Sequence, residues 1–136
     1  MTIWAKNNLE IEIRNILTNV CNGKNHHFDN PYMTAYQIAI EIDKKLNIIE
    51  KLNNGKVDEL WTIGGIHTGL NHEPFARYIA KTLSSYIKTK KITDIEGAFL
   101  ATNTISEIKF IQKRNQVISG VTSNSELSMF RIKKLY

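Results

Sequence analysis

Up to Lys91 the apolar residues of this chain recur at helical spacing, and beyond it they do not; that change of period is the strongest constraint on what the chain can fold into. From Ile92 onward Phe99, Ile105, Ile108, Phe110, Val117, Ile118, Val121, Leu127, Met129 and Phe130 fall in short β-branched or aromatic runs divided by polar turns. Such runs predict strands within about 95–134. Helices first and a small C-terminal antiparallel sheet after them make an α+β pattern.

Three helices are expected before the switch. Leu9, Ile13, Ile16, Leu17 and Val20 line one face of a helix over about 6–21, which Asn22-Gly23 ends, and the polar run from Lys24 to Pro31 is a loop. A second helix over about 34–52 opens on Thr34 and Gln37, spaced as a capping box, and carries Ala35, Ile38, Ala39, Ile42, Leu46 and Ile49 at helical intervals. Asn47 marks a bend within it, and Asn53-Asn54-Gly55 terminates it. The block Val57–Ile63 is too short for periodicity to choose between helix and strand. Gly64, Gly65 and Gly69 then turn the chain sharply into a third helix over about 72–90, with Pro74 in its first turn, where a missing N–H costs nothing.

A chain of 136 residues suffices for a single domain spanning 1–136. Its one cysteine, Cys21, cannot form an intrachain disulfide, so the core alone must hold the fold. No apolar run approaches the roughly 18 residues of a membrane span. The segment Met1–Asn7 has no signal-peptide apolar stretch. A soluble, cytoplasmic protein with no membrane contact is expected.

Eighteen Lys and Arg against thirteen Asp and Glu give a formal charge of +5, which favours a polyanionic partner. The excess lies in the C-terminal part, where from Lys81 onward the only acids are Asp94, Glu96, Glu107 and Glu126. At about 100° per residue, Phe75, Ala76, Ile79, Ala80, Leu83, Tyr86 and Ile87 occupy an arc of about 140°, the buried side of an amphipathic third helix. Arg77, Lys81, Ser84 and Lys88 fall on the far side within about 60° and include no carboxylate. Cations neutralise phosphates and release counterions, and Arg and Ser also reach base edges in the major groove, so this stripe suits duplex nucleic acid. Three helices and a small sheet are also the order of a winged helix, whose third helix lies in the groove while its hairpin touches the backbone. Lys109, Lys113 and Arg114 are the expected wing contacts, with Arg131, Lys133 and Lys134 following. DNA is therefore the expected partner. The competing expectation is a solvated basic face on a non-catalytic interaction protein, a homo-oligomer or the partner of another protein, using exposed aromatics such as Tyr32, Tyr36 and Trp61.

Other chemistries are less well served. His26-His27 with Asp29, and His67 with His72 and Glu73, have suitable donors but not the spacing of a helical zinc site, so no metal is expected. The glycines from Gly64 to Gly69 precede a helix but match no phosphate-binding fingerprint, and Cys21 has no fixed histidine partner. No catalytic residue, and neither an enzymatic activity nor a cofactor, is expected.

The run Pro31-Tyr32-Met33-Thr34-Ala35-Tyr36-Gln37-Ile38, then Gly64-Gly65, the helix from Ala76 to Leu83, and the ending Met129-Phe130-Arg131-Ile132-Lys133 resemble small bacterial proteins, some carried on mobile gene cassettes such as those of integrons. The resemblance implies a compact, self-contained domain and does not imply an enzyme; a non-catalytic accessory protein of a mobile element belongs with the competing expectation above. The resemblance transfers no functional residue.

Overall fold

The computed structural model describes residues 1–20, 29–55, 61–64, 73–106, 108–112, 117–119 and 127–133. Helix α2 (Leu9–Asn19) lies within the expected first helix, and a short helix, α1 (Ile3–Lys6), precedes it. The break falls at Asn7-Asn8, with Asn8 in the left-handed region at φ 53°, a conformation asparagine tolerates better than most residues. Leu9, Ile13 and Leu17 are buried, while Ile16 and Val20 pack partly buried beside them, so the whole predicted stripe faces the core.

Helix α3 (Ala35–Leu46) begins with the capping box: Gln37 N–H donates to Thr34 Oγ1 at 3.2 Å, and Thr34 N–H donates back to Gln37 Oε1 at 2.8 Å. Asn47, left-handed at φ 51°, separates it from α4 (Ile48–Leu52) at the expected bend. Asn47 makes no side-chain cap for α4. The buried Asp43 carboxylate does so from the preceding helix, accepting from Ile49 N–H at 3.0 Å. Helix α5 runs Phe75–Lys88, a little shorter than expected, and Pro74 is its N-cap rather than a residue of its first turn.

The strands correct the simple order of helices followed by sheet. A two-residue strand, β1 (Met33–Thr34), lies immediately before α3. Strands β2 (Trp61–Thr62) and β3 (Glu73–Pro74) pair in parallel and lead into α5. Then come β4 (Ile95–Leu100), β5 (Lys109–Ile111), β6 (Val117–Ser119) and β7 (Leu127–Ile132). The main sheet is antiparallel with order β1-β7-β4, so the last strand lies in the middle. Strands β5 and β6 form a separate antiparallel pair in the excursion between β4 and β7. Mixed helices with a small antiparallel sheet make the fold α+β.

Isolated two-residue strands have little intrinsic stability, and β2 is held by side chains as well as by its partner. Asn53, 5 % exposed, donates to Trp61 C=O at 2.8 Å and accepts from Trp61 N–H at 2.7 Å, acting as a strand partner at the end of α4. The Trp61 ring meets Phe75 and Tyr78 edge-on, and Ala76 N–H donates to Ile63 C=O at 2.9 Å, which together moor β2 to the first turn of α5. Gly64 leaves this junction at φ 137°, outside the range of L side chains, and an added Cβ would stand 2.8 Å from Tyr36 Cε1. Gly64→Ala is expected to cost about 2 kcal/mol or more in urea unfolding, the sum of an unfavourable backbone well and a clash. A loss under about 0.5 kcal/mol would contradict this account of the turn.

Candidate nucleic-acid interface

Helix α5 owes its orientation to one face. Phe75, Ile79 and Leu83 are each 0 % exposed and Ala76 2 %, and the helix packs on α3 and β4. Tyr86 and Tyr78 fix a second side: Trp4 meets the Tyr86 ring edge-on at 5.5 Å, and Trp4 N–H donates to Tyr78 Oη at 3.0 Å. With these two sides committed, Arg77, Lys81, Ser84 and Lys88 all project to solvent. Among the described residues no carboxylate forms an ion pair with Arg77, Lys81 or Lys88. Arg77 to Lys88 spans about 16 Å along the axis at about 1.5 Å per residue, about a third more than the roughly 12 Å width of a B-form major groove.

The wing residues are only partly within view. Lys109 is exposed on β5, where Phe110 is buried and Ile111 is 75 % exposed, the alternation of a strand with one face against the body. Lys113, Arg114 and Lys134 lie outside the described residues, as do Cys21, His26, His27, His67, His72, Gly65 and Gly69.

Arg131, expected among the C-terminal cations, is engaged within the fold. Its guanidinium donates through Nε to Glu96, lies 3.8 Å from Asp29, and sits 4.3 Å from the centroid of the Tyr32 ring. Two carboxylates already balance it. Lys133 is exposed, and its backbone N–H donates to Asp94 C=O at 2.9 Å. The aromatic residues expected on the surface are each half-buried against neighbours rather than free. Tyr32 is half-buried beneath Arg131, Tyr36 stacks on Phe110 at 5.2 Å, and Trp61 packs on Phe75 and Tyr78. Lys91, just past α5, extends the cations beyond the helix with its Nζ 5.1 Å from the Tyr86 ring centroid.

Arg14 is likewise paired with acids, as Lys45 is with Glu12 at 2.8 Å. Arg14 forks onto Asp94 through Nε (2.9 Å) and Nη2 (3.0 Å) and reaches Glu10 through Nη1, joining α2 to the start of β4. No family model, curated protein or solved structure matches the chain. Among the described residues no helix is long and apolar enough to cross a membrane, and no group of three or more His, Cys, Asp or Glu is placed to hold a metal ion.

Hydrogen bonds from Arg14 hold the Asp94 carboxyl below its ordinary range. A carboxylate that titrates lower in the folded than in the unfolded chain stabilises fully above about pH 4, and that contribution is lost as pH falls through the lowered value. Because both partners are partly solvent-exposed, Asp94→Asn is expected to cost no more than about 1 kcal/mol at neutral pH, with the difference from the unsubstituted chain closing in acid. Thermal unfolding between pH 7 and 2 reads this; a gap that stays constant across that range would contradict it.

Proposed function

We propose that this chain is a winged-helix-like domain that binds duplex DNA, with α5 lying in the major groove. The observation that carries this reading is the uniform character of the outward face of α5: Arg77, Lys81, Ser84 and Lys88 are exposed together on a helix whose other sides are committed to the core. The connectivity supports it. Three core helices, α2, α3 and α5, pack with the sheet, and the last of them leads directly into β4, whose partner β7 returns after the β5–β6 excursion. In this reading Arg77, Lys81 and Lys88 reach phosphates along the groove, Ser84 lies among them, and Lys109 of the excursion contacts the backbone beyond.

A second reading, an accessory protein that acts through another protein or a second copy of itself, draws on Phe99 and Ile111, which are 64 % and 75 % exposed. Large apolar side chains left in water often mark protein contacts when they form a patch. The two readings separate on salt. Each phosphate neutralised contributes about −0.9 to the slope of log K against log salt, so three α5 cations predict a slope of about −3 or steeper.

Fluorescence anisotropy with a labelled duplex of about 20 base pairs, across a salt series, measures it. Arg77→Ala and Lys81→Ala are each expected to reduce the slope by about 1 while leaving the fold intact. No binding at low salt, or slopes unchanged by both substitutions, would overturn the proposal. Self-association by light scattering, lost on Phe99→Ser or Ile111→Ser, would favour the second reading.

A further inference from the structure

The exposed cations of α5 and Lys109 of β5 belong to elements with no backbone pairing between them, so a joint must set their separation if both touch one duplex. We infer that the Tyr36–Phe110 ring stack is that joint, making Tyr36 and Phe110 positioning residues for the interface proposed above, on which this inference rests. The rings lie 5.2 Å apart, centroid to centroid, and 11° from parallel. Phe110 is 8 % exposed and is the β5 side chain turned inward, so the ring that anchors the strand also directs Lys109 and Ile111 outward.

Tyr36 is well placed to be the fixed half. It sits in the first turn of α3 behind the Thr34–Gln37 capping box, and Thr34 is itself registered on Met129 of the central strand. Its other edge meets Gly64, whose missing Cβ leaves room for it, beside Pro74, the N-cap of α5. One side chain therefore lies against both Phe110 of β5 and Gly64, the glycine that follows β2 and stands beside the N-cap of α5. Offset aromatic stacking adds direction to simple burial, which an aliphatic substitute does not reproduce.

The test is a set of double-substitution cycles by anisotropy with the same duplex DNA and salt series. In the unsubstituted background Lys109→Ala should reduce the salt slope by about 1, as for any phosphate contact. In a Phe110→Leu background, which keeps the core covered but removes the stack, Lys109→Ala should change nothing further, while Arg77→Ala retains its full effect. Tyr36→Phe, which keeps both rings, should retain the Lys109 increment of the unsubstituted chain. Tyr36→Leu attacks the stack from the other side and should reproduce Phe110→Leu, and serves if that variant fails to fold. A full Lys109 increment surviving in a folded, stack-deficient variant overturns this inference and leaves DNA binding standing. Absence of DNA binding by the unsubstituted chain removes both.

Discussion

The burial of one face of α5 is the constraint on which the structure turns. Phe75, Ile79 and Leu83 are each removed completely from water, and truncating any such side chain to alanine typically costs about 2–5 kcal/mol. That energy fixes the rotation of the helix about its own axis. Once the rotation is set, the positions of Arg77, Lys81, Ser84 and Lys88 are no longer independent: 3.6-residue geometry carries all four to solvent together. The basic face is thus a by-product of core packing, and its precision is that of the core.

The remaining architecture brings other elements to that helix. Trp4 and Trp61 close around its flank against Tyr86 and Tyr78, so that α1 and β2 are tied to α5 through ring contacts and a backbone donor to a phenol oxygen. The sheet closes around its last strand, with β7 pairing on one side with β1 and on the other with β4. A strand as short as β1 persists because its second residue, Thr34, is also the N-cap of the α3 capping box. The charges are partitioned by the same packing. Arg14 and Arg131 are consumed in linking elements across the fold, while the lysines and the arginine on the outer face of α5 have no acidic partner among the described residues.

Features governed by neighbours in sequence were legible in the sequence. The capping box at Thr34, the bend at Asn47, the two sides of α5 and the position of the strands after Ile92 all follow from spacing and local backbone preference. Features set by distant residues were not. Nothing local distinguishes Asn8 as a helix break from an asparagine inside the first helix, and Met33-Thr34 becomes a strand only because Phe130 and Met129 lie alongside. The same holds for charge and aromatics: Arg131 looks like one more C-terminal cation until Glu96 and Asp29 are found beside it, and Tyr36 looks like a surface ring until Phe110 covers it. Sequence periodicity identifies which residues share a face, whereas only tertiary contact reveals which faces and charges are already engaged.

Amide chemical-shift mapping on the 15N-labelled chain, titrated with duplex DNA, tests the central claim most directly. The account predicts shifts clustered on Arg77, Lys81, Ser84 and Lys88, fading as salt is added, with α2 unaffected. Shifts centred on Phe99 and Ile111 while α5 stays silent, or no shifts at low salt, would contradict it.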